Sequence, residues 1–260
     1  MPAVTCENIR CRYPPVFYKY QIKMKTYIWT WSTRLFHWLL AIGFVTAYIL
    51  GGEEESLNIH AGLGIMIGTL VLFRILQGLS GPRYARFSDF PVSPASLKFF
   101  VTNMNQSKAD HPGHNPLASV VMLGIIFTAL LSAVSGMVIV ASGEQGLFGF
   151  QFNPGSNAEL FEGIHEVIVN VFLAFVVVHL TGILADTLFH PGNGTVFSMF
   201  TGYKKLSAEE ARLSTSQKIF SFFWIVIPLM LFFYMVSSNP ITAGENSKTE
   251  QVNETDNDED

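Results

Sequence analysis

Four histidines lie inside long apolar stretches of the chain: His37, His60, His165 and His179. A polar side chain in a membrane-length apolar segment is costly, so each of the four is a candidate functional residue. A single histidine of this kind can equally be a hydrogen-bonded neighbour of Ser or Thr on another helix. The case for chemistry therefore depends on how the four are spaced.

The positions of these histidines along their stretches pair them at two depths. At about 1.5 Å per helical residue, His37 and His179 lie about 12 and 15 Å from the inner face of the membrane. His60 and His165 lie about 5 and 6 Å from the outer face. The two histidines of the fourth stretch are about 21 Å apart along the axis and point within about 40° of each other. We expect two facing pairs, His37 with His179 and His60 with His165.

Two imidazoles that face each other are too few ligands for a zinc ion, but they are enough for a haem iron. Zinc takes three or four ligands drawn together, whereas haem iron needs two axial ligands on opposite sides of a flat ring. Small residues at helical spacing would leave room for that ring, and they are also typical of close helix packing, so both interpretations stay open. These residues are Gly64, Gly68, Gly124, Ala129, Ala133, Gly136 and Gly182.

Two arginines accompany the apolar stretches. Arg34 stands one turn from His37 on the same helix face, and Arg74 lies near the inner end of the second stretch. Each is a candidate partner for a haem propionate, and each can alternatively extend to lipid phosphate. The remaining histidines, His111, His114 and His190, fall in the inner connections, where we expect them to be solvated or to structure loops.

Five apolar stretches must position these residues. The chain is 49% hydrophobic and only 14% charged, against about 25% charge in soluble domains, which argues against a soluble enzyme, a disordered chain and a nucleic-acid binder. A bilayer core of about 30 Å needs about 20 apolar residues in a helix. We predict spans at Trp29–Leu50, Leu57–Leu79, Leu117–Ala141, Phe161–Phe189 and Ile219–Val236, the last containing Pro228.

The predicted fold class is an all-α integral membrane helical bundle with a four-helix core and a fifth C-terminal transmembrane helix. The domain boundaries follow as a leader at 1–26, the core at 27–205, a linker and fifth helix at 206–240, and an acidic disordered tail at 241–260. Met24 is an alternative start, and Cys6 and Cys11 in the leader are expected to be chemically idle because partner ligands are missing. A short surface helix is predicted from Ser93-Pro94 to Asn103.

Charge placement predicts the orientation, because short cytoplasmic loops are enriched in Lys and Arg. The leader, the second connection and the fourth connection carry the basic residues: Arg10, Arg12, Lys19, Lys23, Lys25, Arg83, Arg86, Lys98, Lys108, Lys204, Lys205, Arg212 and Lys218. The other connections carry Glu53, Glu54, Glu55, Glu144, Glu159 and Glu162. We predict a cytoplasmic N-terminus and a periplasmic C-terminus. The outer glutamates either attract a basic redox partner or only reflect the absence of basic residues from the outer connections.

Several motifs resemble a known family. They are the Arg34–Trp38 stretch with its His37, His60 opening the second span, Arg74, the loop motifs Gly81–Phe87 and Gly113–Pro116, and the His165 and His179 pair. These residues resemble the prokaryotic cytochrome b561 family, which includes the b-type cytochrome subunits of nickel-iron hydrogenases. The resemblance covers about residues 25–205, and the leader and fifth span depart from it.

The resemblance implies a cofactor set and a function. It implies a four-helix bundle in the bacterial inner membrane that holds two non-covalent b-type haems, with His37 and His179 on the inner one and His60 and His165 on the outer one. Electrons would pass between the quinone pool and a partner such as a periplasmic c-type cytochrome or a hydrogenase-like subunit. Two alternatives remain: a stand-alone quinol oxidoreductase reducing superoxide or ferric iron, and a metal or proton transporter.

Overall fold

The structure is a computed structural model, and it describes residues 25–103, 111–143, 146–153, 157–189 and 194–237. The predictions for the leader, including Cys6, Cys11 and Met24, for His190 and for the tail lie outside the described residues. The helices within them are α1 Trp31–Leu50, α2 Leu57–Ser80, α3 Pro94–Thr102, α4 Pro116–Ser142, α5 Ala158–Phe189, α6 Thr195–Thr201 and α7 Thr215–Ser237. Two short strands, β1 Thr26–Tyr27 and β2 Tyr203–Lys204, pair antiparallel.

Five of these helices, α1, α2, α4, α5 and α7, are long and apolar enough to cross a membrane. The predicted all-α membrane bundle is therefore confirmed. The largest difference in bounds is at α7, which begins four residues before the predicted span. Ser214 explains that difference, because its hydroxyl accepts a hydrogen bond from the backbone N–H of Gln217 and caps a polar first turn.

Helices α3 and α4 begin with the same arrangement, an N-capping side chain followed by proline. Ser93 Oγ accepts a hydrogen bond from the backbone N–H of Ser96 at 3.1 Å, and Pro94 follows at the first helical position. Asn115 Oδ1 accepts from the N–H of Ala118 at 2.8 Å, and Pro116 follows. A capping side chain followed by proline is a strong helix start. The predicted surface helix beginning at Ser93-Pro94 is confirmed.

Helix α2 is the central helix of the bundle. It packs against α1, α4 and α7, and its middle is the most buried part of the spans, with Leu70, Val71 and Phe73 fully buried. Helix α5 packs along α4 and is the most exposed of the five spanning helices. The bundle therefore has a densely packed side around α2 and a loosely supported side at α5.

The two ends of the bundle differ in charge. The basic end comprises the starts of α1, α4 and α7, the ends of α2 and α5, and the connections that carry α3 and α6; the acidic end comprises the opposite helix termini. At the basic end the backbone N–H groups of Ile28 and Trp29 donate to Gly202 O, and Gln217 Nε2 donates to Ser80 O at 2.9 Å. Helices α1 and α7 both run from the basic end to the acidic end.

Candidate functional site

The structure brings the four membrane histidines together as two pairs. His37 of α1 faces His179 of α5 with ring centroids 6.5 Å apart, and His60 of α2 faces His165 of α5 at 6.3 Å. Two metal–imidazole bonds of about 2.0–2.1 Å each, extended by the radii of the two rings, span roughly this distance. Each pair is spaced as two axial ligands on opposite sides of one metal would be.

The hydrogen bonds of the His60–His165 pair define which ring nitrogens are free. His60 Nδ1 lies 2.9 Å from Ala47 O, which can only accept, so Nδ1 carries the proton. His165 Nδ1 lies 2.9 Å from Ser135 Oγ, and that hydroxyl donates its own proton to Ser132 O at 3.0 Å. Both Nδ1 atoms therefore donate, which leaves both Nε2 lone pairs available to a metal.

The His37–His179 pair is held differently. His37 Nδ1 is buried without a hydrogen-bond partner, and its ring packs edge-on against Trp38 at 5.1 Å. Among the described residues, none hydrogen-bonds either imidazole. A buried ring nitrogen without a partner is costly unless a ligand satisfies it, so this pair also fits a site that binds an additional group.

Open space adjoins each histidine pair. A Cβ added at Gly64, one turn after His60, or at Gly182, just after His179, would meet nothing within 4 Å. By contrast, a Cβ at Gly68 would lie 2.9 Å from Ala133 Cβ, and one at Gly124 would overlap the Phe175 ring. These glycines therefore fall into two groups. Gly68 and Gly124 allow helices to pack closely, whereas Gly64 and Gly182 border open space beside the histidines.

An aromatic contact separates the two pairs. Phe172 lies midway between His165 and His179 on α5, and its ring meets that of Phe44 of α1 at 4.3 Å between centroids. Both side chains are buried, at 2% and 8% exposure. This contact joins α1 to α5 at a level between the two histidine pairs.

The two candidate arginines both lie at the basic end. Arg74 is only 2% exposed, donates to Ala85 O at 2.9 Å and packs over the rings of Phe87 and Phe90. Its burial excludes the alternative in which it extends to lipid phosphate. Arg34 donates from Nη1 to Phe200 O, and its Nε is buried without a partner. In the described part of the chain, no carboxylate pairs with either guanidinium.

A comparison with family models supplies the identity. The model described as prokaryotic cytochrome b561 matches residues 28–202. The chain belongs to the prokaryotic cytochrome b561 family. It is accordingly a multi-pass membrane b-type cytochrome, and family membership implies electron transfer and b-type haem. Searches of curated proteins and of solved structures found no match. Helix α7 lies beyond the matched residues and is an addition to the family's shared part.

The residues of this cytochrome b561 fit a haem better than a directly ligated metal. Within the described ranges, no group of three or more His, Cys, Asp or Glu side chains could hold a metal ion. The paired imidazoles and the space beside Gly64 and Gly182 are what a bis-histidine haem requires.

His114 of this cytochrome was expected either to be solvated or to structure a loop, and its contacts favour the second alternative. Its ring packs against Trp29 at 4.9 Å and Phe90 at 5.0 Å, and its Nδ1 is buried without a partner. Burial lowers the pKa of His114 well below its usual value, and Arg74, Lys204 and His179 lower it further. Its prediction as a loop-structuring residue agrees with these contacts. The Gly113–Pro116 motif was the sequence signal, but it did not indicate burial.

Lys204 is a second residue that sequence reasoning did not single out. It is buried, its Nζ donates to Gly113 O at 3.1 Å, and it lies over the Trp29 ring. Because β2 pairs with β1, Lys204 lies beside the start of α1. Arg34, Arg74 and Lys204 are therefore at the same end of the bundle as the His37–His179 pair.

Proposed function

We propose that this protein is a di-haem b-type cytochrome that carries electrons across the membrane between the quinone pool and a periplasmic redox partner. His37 and His179 would hold one haem and His60 and His165 the other, with Arg34 and Arg74 binding propionates of the first. The observation that carries the proposal is the spacing of the two histidine pairs, 6.5 and 6.3 Å between ring centroids, at two depths of one bundle.

Haem supplies a reversible one-electron centre, and the surrounding residues determine what that centre does. Two histidines on each iron would leave no open coordination position, which would favour electron transfer over oxygen activation. The Ala47 carbonyl and the Ser135 hydroxyl orient the imidazoles of one site. Phe44 and Phe172 exclude water between the sites. The chain thus divides a membrane crossing into shorter electron steps, and the partner, a c-type cytochrome or hydrogenase-like subunit, would meet the acidic end.

The proposed function has a direct spectroscopic test. The purified protein is expected to show a reduced-minus-oxidised visible spectrum of b-type haem, and its haem is expected to be reduced by a quinol added in detergent. A protein that folds and lacks the b-haem signature would contradict the proposal and favour the transporter. Steady quinol oxidation with superoxide or ferric iron as acceptor, without a partner subunit, would instead favour the stand-alone enzyme.

The proposed orientation places the basic end in the cytoplasm. All basic connections of the matched region meet at that end, and cytoplasmic loops are enriched in Lys and Arg. Alkaline phosphatase fused after residue 260 is therefore expected to be active and green fluorescent protein fused there to be dark, because the first requires the periplasm and the second fails to fold there after export. A matched pair of fusions in the 81–93 connection provides the control and is expected to give the opposite result. Fluorescence from the C-terminal fusion would overturn the orientation.

A further inference from the structure

Helix α6 connects α1 to α5 at the basic end of the bundle. On the α5 side, Thr195 Oγ1 donates to Asp186 Oδ2 at 2.6 Å. On the α1 side, Trp38 Nε1 donates to Met199 O at 3.3 Å, and the ring centroids of Trp38 and Phe200 lie 4.6 Å apart. Two spanning helices, each carrying one histidine of the same pair, are therefore fastened to one short helix.

The residues that α6 contacts lie close to that histidine pair. Arg34, which donates from Nη1 to Phe200 O, lies one turn before His37, at about 4.5 Å along the axis. Asp186 lies seven residues after His179, which is about 10.5 Å along α5 and within about 20° of the same direction. Helix α1 starts at the basic end and α5 ends there. Helix α6 therefore crosses between α1 and α5 on the basic-end side of the pair.

The gap between α1 and α5 depends on such connections. Helix α1 packs chiefly against α2, and α5 packs chiefly against α4. Further along the same two helices, Phe44 meets Phe172 at a level between the two histidine pairs. A haem held by His37 and His179 would therefore be bounded by this aromatic contact towards the other site and by α6 towards the basic end.

The two ends of α6 are shaped to hold it in this place. Gly194 and Gly202 flank the helix with φ of 69° and 87°, in the left-handed region that favours glycine. A Cβ at Gly202 would overlap the Tyr27 ring and lie 2.8 Å from Trp29 O. The buried Ser198 Oγ accepts a hydrogen bond from Trp29 Nε1 at 3.1 Å. Because a seven-residue helix is unstable in isolation, these contacts and the bonds to α1 and α5 keep α6 in position.

We propose that α6 closes the basic-end side of the His37–His179 site and retains the haem bound there. The inference rests on the proposed function and adds how one of its two sites keeps a non-covalent cofactor. Thr195, Trp38 and Ser198 are positioning residues in this role, because they hold α6 and do not contact the haem iron. Since α6 lies at the basic end, its effect is confined to this site.

The rate at which haem leaves the complete protein tests this inference. Transfer to excess apomyoglobin in detergent is followed by visible absorbance, and the His60→Ala and His37→Ala proteins, each expected to retain one haem, separate the two sites. Thr195→Val removes the bond to α5, and Trp38→Phe removes the bond to α1. Each is expected to speed release from the His37–His179 site about three- to tenfold, as for one lost hydrogen bond, and to leave the other site unchanged.

The double variant distinguishes a bridge from two local effects. If α6 opens once either attachment is lost, the Thr195→Val/Trp38→Phe protein releases haem no faster than the faster of the two single variants. If the two substitutions act independently, their effects on the rate multiply. A multiplied rate would therefore overturn the inference.

Matched substitutions that spare the bridge serve as controls. Thr195→Ser keeps the hydroxyl and should release haem at the wild-type rate. Thr187→Val makes the same change on α5, where the hydroxyl donates within its own helix to Ile183 O. Trp31→Phe makes the second change at an exposed ring of α1. Neither of these two controls should alter release from either site.

Electron paramagnetic resonance of the ferric haem separates loss of the bridge from damage to the ligands. The spectra of Thr195→Val and Trp38→Phe are expected to match the wild type, because both imidazoles stay in place. Altered spectra, unchanged release in both single variants, or faster release from both sites would each overturn the inference while leaving the di-haem function intact. Absence of b-type haem from the wild type would overturn the proposed function as well.

Discussion

Replacing His179 with alanine is expected to remove one b-type haem and leave the other, halving the haem bound per protein. His37 would lose the facing imidazole, whose ring centroid lies 6.5 Å from its own. The His60–His165 pair keeps both of its rings and both of its hydrogen bonds. Pyridine haemochrome absorbance per mole of protein measures the ratio. The His165→Ala protein should lose the other haem, and the difference spectra of the two variants should sum to that of the wild type.

The control for these substitutions is a histidine outside both pairs. His111 lies in the connection before α4, with its ring against Phe100, so His111→Ala should retain both haems. Two haems in His179→Ala would refute the proposed pairing. A single haem lost in every one of the four ligand variants, with identical spectra, would show one shared site instead of two.

Replacing Gly64 with leucine is expected to remove the haem of the His60–His165 site while the bundle still folds. The space beside Gly64 contains no protein atom within 4 Å of an added Cβ, so the leucine side chain displaces the proposed cofactor and not a neighbouring helix. Haem per protein should fall by about half, as in a ligand variant, although all four histidines are present. Detergent size-exclusion chromatography and the remaining haem spectrum report that the fold persists.

Gly163 offers the matched control for that experiment. A Cβ at Gly163 also meets nothing within 4 Å, but the residue lies two positions before His165 and therefore on the opposite face of α5. Gly163→Leu should therefore retain both haems. Full haem content in the Gly64→Leu protein would mean that the open space is not where the cofactor lies.

The spanning helices were predictable because a bilayer requires every backbone group to be satisfied within its own helix. A long apolar stretch is then a helix with a known rise per residue. That rise places His37 and His179 at one depth in the membrane and His60 and His165 at another. This is why the pairing, and not only the number of spans, could be predicted from the sequence. The capped surface helix after Ser93 was predictable for a similar local reason, since a hydroxyl and a proline define its start.

The environment of each side chain was not predictable, because it depends on how the helices are rotated against one another. Gly64 and Gly68 have the same spacing pattern, yet Gly68 packs on Ala133 whereas Gly64 borders open space. His114 is enclosed by Trp29 and Phe90, which come from two other segments. The local sequence around His114 does not indicate those neighbours, so it could not decide between a solvated histidine and one that structures the loop.

Helix α7 has a consequence for how the cofactors are retained. It lies along α2, with Phe232 seated where Gly62 has no side chain, so the helix that carries His60 and Arg74 is shielded from acyl chains on that flank. Helix α5 carries the opposing histidines, His165 and His179, and packs chiefly against α4. Haems packed between α5 and the other helices would thus help to hold α5 in the bundle. A harsh detergent is expected to release the haems by detaching α5 from the bundle under conditions in which α2 remains folded.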